Sequence, residues 1–266
     1  MKTILITGAT DGLGKAVALE LAKQGHTLLL HGRNAHKGEA LIAEIAGVTG
    51  NKDLTWYKAD FAAIDEIKKL ADTLLLEHKN LDVLINNAGL GVEPKRRTSE
   101  DGLEIIFQVD YLATYILSKK LFPLLKAASP ARVVNVASAG QAPIDFNDPL
   151  LETDWDGVQS YCQAKLAQIM LGFELADAYH KYGVTVNSLH PASYMPTKIV
   201  KGLFSVQSSI EDGVASVVRL AVNDDLEGTT GKYFNQQKEA KAHTQAYDAH
   251  ARKQLLQLSA ELTGVQ

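Results

Sequence analysis

Thr3-Ile4-Leu5-Ile6-Thr7-Gly8-Ala9-Thr10-Asp11-Gly12-Leu13-Gly14 decides the reading of this chain. An apolar run of strand length enters a glycine-rich turn. The turn opens into Leu13, Val17 and Leu21, which recur at i, i+4 and i+8 and so share one helix face. Strand, turn and helix in that order make a phosphate cradle. Glycines permit a tight turn and a close backbone approach, and the helix N-terminus carries about half a positive charge. The spacing is GxxxGxG rather than GxGxxG, and the candidate phosphate-binding residues are Gly8, Thr10, Asp11, Gly12, Leu13 and Gly14.

The same alternation continues outward. Residues 3–7, 27–31, 54–59, 81–86, 132–137, 184–189 and 231–234 read as strands, separated by amphipathic stretches such as Ile67, Ala71 and Leu75. Parallel strands buried on both faces by helices give this pattern. No linker-like tract or internal repeat divides the 266 residues. The expectation is one doubly wound α/β domain of Rossmann type over 1–266, with a seven-stranded parallel sheet. Two segments depart from the alternation, 140–157 and 193–212, and both follow strand ends where ligands bind in such sheets. They are candidate substrate loops, and a C-terminal helix is expected over 240–262.

Composition narrows the function classes. Hydrophobic residues make up 46% of the chain and charged ones 22%, and 27 basic against 31 acidic side chains give a formal charge of −4. That balance excludes a strongly basic nucleic-acid footprint and points to a small-molecule partner in a soluble protein. A single cysteine, Cys162, excludes an internal disulfide framework. The first residues are too briefly apolar for a signal peptide, and no run reaches the roughly 18 apolar residues of a membrane span, so the expected location is the cytoplasm.

The end of the second strand bears on cofactor choice. Folds that bind NAD place an acid there for the ribose hydroxyls, whereas NADP requires room and a cation for the 2′-phosphate. Leu30-His31-Gly32-Arg33-Asn34 contains no acid. Arg33 reads as a bidentate phosphate clamp, with a solvated loop residue as the alternative, so NADP(H) is expected over NAD(H). Asp60, after the third strand, reads equally as an acceptor for the adenine amino group or as a cap of the next helix.

Tyr161 and Lys165 lie four apart on a helix expected over 157–182 and share a face. A phenol titrates near about 10, and its use as a base at neutrality requires about 4 kcal/mol of anion stabilisation, part of which an adjacent ammonium supplies. Ser138 ends the fifth strand at the sheet edge that also carries the glycine turn. Its hydroxyl can polarise a carbonyl while Tyr161 donates a proton and a nicotinamide supplies hydride. A turn cap is the alternative reading of Ser138.

Thr7-Gly8-x-x-x-Gly12-x-Gly14, Asn86-Asn87-Ala88-Gly89, Ser138 and Tyr161-x-x-x-Lys165, in this order and spacing, resemble the short-chain dehydrogenase/reductase family over essentially the whole chain. His31-Gly32-Arg33-Asn34 and Tyr161-Cys162-Gln163-Ala164-Lys165-Leu166-Ala167 resemble its retinol-dehydrogenase-like and protochlorophyllide-reductase-like branch, which is mostly NADP(H)-dependent. The resemblance implies that Tyr161 is the catalytic acid/base, that Lys165 holds the nicotinamide ribose and lowers the tyrosine pKa, and that Ser138 orients substrate. It further implies that Asn87, Ala88, Gly89, Pro191 and Thr197 contact the cofactor or brace its site.

Two positions depart from the family pattern. Asp110 stands where the family has an asparagine whose backbone carbonyl holds a relay water; a second charge near Lys165 would alter the tuning of the tyrosine, and Asp110 joins Ser138, Tyr161 and Lys165 as a candidate catalytic residue. The family's Pro-Gly-x-x-x-Thr appears as Pro191-Ala192-Ser193-Tyr194-Met195-Pro196-Thr197, longer by one and without the glycine.

Cys162 reads as a core thiol in an apolar stripe with Leu166, Ile169 and Phe173 rather than a nucleophile. The histidines show no zinc spacing, so no metal is expected. Lys95-Arg96-Arg97 reads as a solvated loop cluster. The 140–157 loop holds five acids and no base, with Ile144, Phe146, Leu150, Leu151 and Trp155, and suggests a lipophilic pocket or loop packing. The expected function is NADP(H)-dependent interconversion of a carbonyl and an alcohol on a lipophilic small molecule. The alternatives are a non-catalytic NADP(H)-binding sensor and, below it, a nucleotide-sugar epimerase, for which 75 residues after Pro191 are few. Amphipathic helices over 100–126 and 157–182 offer a helix-bundle homodimer, while a covering C-terminal helix offers a monomer.

Overall fold

The structure is a computed structural model that describes residues 1–197 and 205–266. The strands are β1 Thr3–Ile6, β2 Thr27–Gly32, β3 Leu54–Lys58, β4 Val83–Asn86, β5 Ala131–Val136, β6 Val184–His190, β7 Lys232–Asn235 and β8 Lys238–Ala240. The helices are α1 Gly12–Lys23, α2 Ala35–Thr49, α3 Ile64–Glu77, α4 Ala113–Lys120, α5 Phe122–Ala128, α6 Gly157–Tyr179, α7 Ile210–Val222 and α8 Ala249–Thr263. They form one α/β domain around a sheet of order β3-β2-β1-β4-β5-β6-β7-β8.

β1 to β7 pair in parallel. Ile4, Leu5 and Ile6 of β1 are fully buried between helices on both faces. Removing each such side chain from water contributes about 1.5–3 kcal/mol. Chain order reverses beside β1, between β2 and β4, so the ends of β1 and β4 open the crevice where such sheets take ligands.

Four expectations need correction. The sheet has eight strands, not seven, because β8 adds antiparallel to β7 across a turn at Gln236, whose φ is +54°. Lys-Glu-Ala is too short and polar to announce a strand. The helix expected over 240–262 begins at Ala249, after β8 and a short 3₁₀ turn at Thr244–Tyr247. The helix expected over 100–126 is three pieces: a π-helical turn at Phe107–Leu112, then α4 and α5, with Pro123 in the first turn of α5. The helix expected over 157–182 ends as α6 at Tyr179 and tightens into a 3₁₀ turn before Gly183.

α8 lies on α6 and the π turn. Ala251 and Leu255 are buried, Tyr111 Oη and Ser259 Oγ are 2.6 Å apart, and Tyr115 Oη donates to Val265 O at 2.7 Å. Arg252 adds an ion pair to Glu174 of α6 at 2.6 Å. Of the described residues, no helix is long and apolar enough to cross a membrane.

Candidate active site

The turn after β1 has the geometry its glycines allow. Gly8 and Gly12 have φ of +67° and +50°, the left-handed region that disfavours side chains. A Cβ on Gly8 would fall 2.8 Å from Ala88 Cα, and one on Gly14 would fall 2.3 Å from Gly8 O and 2.4 Å from Asn87 Nδ2. The backbone is thus packed to contact at the start of α1. Asp11 caps α1 by accepting from Gly12 N at 2.9 Å, and Leu13 turns its side chain into the core. Thr10 places its methyl against Gly32, and Thr197 places its own against Gly12, so the departure after Pro191 still brings Thr197 to the cradle.

Residues after β4 brace this turn. Asn87 Nδ2 donates to Thr7 O at 2.8 Å and to Gly8 O at 3.2 Å, and the Asn87 and Ala88 amides both donate to Thr7 Oγ1. Asn87 therefore acts on the loop through its side chain. At the end of β2, Arg33 is exposed and makes no ion pair or hydrogen bond to other described residues. Asn34 caps α2 beside it. Asp60 accepts from Ala62 N at 3.0 Å, which forms the turn before α3 rather than its cap.

The catalytic candidates meet at the far side of the same edge. Asp156 caps α6 by accepting from Gln159 N at 2.8 Å, which sets Tyr161 and Lys165 in its first turns. The ammonium of Lys165 lies 5.6 Å from the centre of the Tyr161 ring, and the Ser138 hydroxyl is near enough to the phenol to favour its anion. Tyr161 keeps part of its surface open, whereas Ser138 and Lys165 are buried. Asp110, fully buried on the π turn, puts Oδ2 3.0 Å from Lys165 Nζ and accepts from Leu90 N at 2.8 Å through Oδ1. A π turn inserts an extra residue into the helical repeat and re-aims a side chain, and here it aims Asp110 at Lys165. The Asp110 backbone carbonyl accepts from Thr114 Oγ1 at 3.1 Å.

Lys165 is held within the protein: beside its ion pair with Asp110 it donates to Gln168 Oε1 at 3.2 Å and Val136 O at 3.4 Å. Burial disfavours its charge, but Asp110 and Tyr161 outweigh burial and raise the ammonium above its usual pKa. For Tyr161 burial dominates and raises the phenol. Lys165 and Ser138 pull it down, and Asp110 and Cys162 add to the rise.

Sequence reasoning missed several supports. Tyr233 Oη and Gln141 Nε2 both donate to Ser138 O at 3.0 Å, fixing the serine backbone from β7 and from the following loop. His31, read as a strand end and as part of a branch motif but given no structural role, holds Gly8, and Gln168 accepts from Lys165. A buried polar side chain at a strand end was the available signal for His31. Cys162 is half-buried and faces Gly140, so the core-thiol reading holds only for its stripe neighbours.

The 140–157 loop is fastened from several sides. Arg96 donates to Leu150 O and Leu151 O, Gln163 donates to Pro149 O, and Gln245 exchanges two hydrogen bonds with the Ile144 backbone. Arg96 is thus a clamp, not a solvated cation. Ile144 is a core member, Leu151 is buried, and Phe146 and Leu150 pack against that core, so these side chains hold the loop down. Of the 193–212 segment, residues 198–204 lie outside the described residues.

Comparison with known proteins agrees with this arrangement. The model of the short-chain dehydrogenase family matches residues 2–208. Human retinol dehydrogenase 13 is 33% identical over 283 residues, covering 100% of this chain and 85% of its own. Mouse retinol dehydrogenase 12 is 32% identical over 276 residues, covering 100% and 87%. A Shigella flexneri short-chain dehydrogenase, solved in complex with NADP, superposes with a TM-score of 0.73 at 26% identity, covering 89% of this chain and 97% of that one. By its sheet, its glycine cradle and these similarities, the chain belongs to the short-chain dehydrogenase family.

Proposed function

We propose that this oxidoreductase interconverts a carbonyl and an alcohol on a lipophilic small molecule with NADP(H), using Ser138 to orient the substrate oxygen and Tyr161 to exchange its proton. The observation that carries the reading is the convergence of Ser138, Tyr161 and Lys165 at the sheet edge that also carries the glycine cradle. Gly8, Gly12, Gly14 and Thr197 would hold the dinucleotide, with Arg33 and the capped start of α2 at its 2′-phosphate. The NADP bound by the Shigella protein supports this cofactor, and the retinol dehydrogenase relatives support an alcohol or carbonyl substrate. Apolar side chains exposed near the edge, Val158 in the first turn of α6 and Tyr194 after β6, support a lipophilic substrate.

A bound nicotinamide supplies or accepts the hydride. Ser138 holds the reacting oxygen, Tyr161 moves its phenolic proton, and Lys165 stabilises the phenolate that results. Tyr161→Phe should abolish turnover of NADPH with a panel of ketones, aldehydes and quinones while retaining NADPH binding, read by cofactor fluorescence. Retention of most activity would refute the assignment. A second reading, a non-catalytic NADP(H) sensor, is favoured by the hold of Asp110, Gln168 and Val136 on Lys165. It predicts tight NADPH binding with no turnover across the same panel.

A further inference from the structure

We propose that Asp110 is a positioning residue that compensates the charge of Lys165 and thereby makes Tyr161 a proton donor, so that the site favours carbonyl reduction; this rests on the reading of the site given above. Asp110 is buried without solvent contact, its Oδ2 is 3.0 Å from Lys165 Nζ, and its Oδ1 is held by Leu90 N at 2.8 Å. The neighbouring loop makes room for this pair and for nothing more. A Cβ on Gly89 would fall 2.8 Å from Asp110 Oδ2 and 3.3 Å from Lys165 Nζ. Gln168 closes the cage from the other side, accepting from Lys165 and donating to Thr114 Oγ1 at 3.0 Å, while Thr114 donates to the Asp110 carbonyl.

A solitary buried ammonium beside a phenol acts as a full positive charge and draws the proton off. Paired with a carboxylate it acts as a dipole, whose field falls faster with distance, and burial spares the pair from ionic screening. Every titratable group that faces Tyr161 fits this balance. Lys165 on α6 and the Ser138 hydroxyl favour the phenolate, whereas Asp110 on the π turn and Cys162 on α6 oppose it. Tyr233 on β7, pushed up to about 12 by burial, is neutral near pH 7. The balance leaves Tyr161 above its ordinary value.

In the reductive direction Tyr161 breaks its O–H bond and gives that proton to the carbonyl oxygen, while the carbonyl carbon accepts a hydride from the reduced nicotinamide. The carbonyl becomes the alcohol, the nicotinamide is oxidised, and the phenolate regains a proton from solvent. Oxidation of the alcohol requires the phenolate at the outset; burial makes it scarce at neutral pH, and Asp110, by offsetting part of the Lys165 charge, keeps it so.

Asp110→Asn keeps the size and the acceptor for Leu90 N while removing the charge. It should raise alcohol oxidation at neutral pH by about tenfold, and move the pH profiles of both directions towards acid by about one pH unit or more. Loss of both rates with unmoved profiles, the result expected of a purely structural role, would overturn the proposal. Ultraviolet difference titration of the parent against Tyr161→Phe, repeated with Asp110→Asn, reads the phenol without turnover. The expected result is ionisation at lower pH in the variant, and an unmoved or higher titration would overturn the proposal. If the titration moves while every carbonyl and alcohol is inert, the role of Asp110 stands and the proposed function falls. Should Asp110→Asn not fold, the parent decides: oxidation rising about tenfold per pH unit through neutrality supports the proposal, and a flat profile overturns it.

Discussion

The backbone N–H of Gly8 donates to Nδ1 of His31 across 3.3 Å, while Nε2 of the same ring lies 3.1 Å from Ala59 O. The two bonds together require a neutral ring with its proton on Nε2. Phe61 stacks on that ring with centroids 4.2 Å apart and planes 9° apart. One imidazole thus ties the first glycine of the cradle to the ends of β2 and β3, in a form that protonation destroys.

Acid should therefore weaken the fold through His31. Burial pushes its pKa down to about 4 from an ordinary 6.5, so the unfolded chain binds the proton more readily than the folded one. The stabilisation is fully present above pH 6.5 and is lost as pH falls through about 4, amounting to about 3 kcal/mol over that window. Urea midpoints across this range for the parent and His31→Asn should converge at the acid end. Parallel curves would exclude the mechanism.

Gly14 and Gly47 should respond oppositely to alanine. A methyl at Gly14 meets the Gly8 carbonyl and the Asn87 amide, both fixed, so Gly14→Ala should cost about 1–3 kcal/mol and at least about tenfold in NADPH affinity. At Gly47 in α2 a methyl meets nothing within 4 Å, and Gly47→Ala should stabilise by about 0.5–1 kcal/mol. Thermal melts with and without NADPH test both.

Arg33→Ala should weaken NADPH binding by roughly 10–100-fold, the value of a charge-assisted contact, and leave NADH binding nearly unchanged. Titration of the two cofactors by fluorescence separates a phosphate clamp from a general loss of fold. Equal losses for both would exclude the clamp.

Tyr111 and Ser259 should be unequal partners. Ser259 also donates to Leu255 O at 2.7 Å, so Tyr111→Phe leaves it satisfied and should cost about 1 kcal/mol. Ser259→Ala strands the fully buried Tyr111 hydroxyl and should cost about 1–3 kcal/mol. Because α8 covers the face of α6, light scattering should find a monomer, and a stable dimer through that face would contradict the packing.

The parallel strands, the glycine cradle, Ser138 and the Tyr161–Lys165 pair were legible because each leaves a local mark: an apolar run, a spacing, a position at a strand end. Asp110 was legible as a second charge near Lys165, but the π turn that aims it there was not, since such a turn has no periodic signature. β8 escaped because three residues carry no alternation. The supports of Ser138 from Gln141 and Tyr233 come from distant segments, and only the folded chain brings them together. The apolar residues of the 140–157 loop illustrate the limit of composition, since Ile144 serves the core and Phe146 and Leu150 pack against it.

The seal of α8 over α6 also governs how the molecule is made. Tyr111 meets Ser259 across 148 residues of chain, and Tyr115 meets Val265 across 150. Such closures are slow to form, because loop entropy opposes them until the far segment arrives. At about 5–20 residues per second a ribosome delivers α8 roughly 5–20 s after Lys165. During that interval the nascent chain shows the apolar face of α6 to its surroundings, and synthesis slowed there should lower the yield of native protein more than slowing elsewhere.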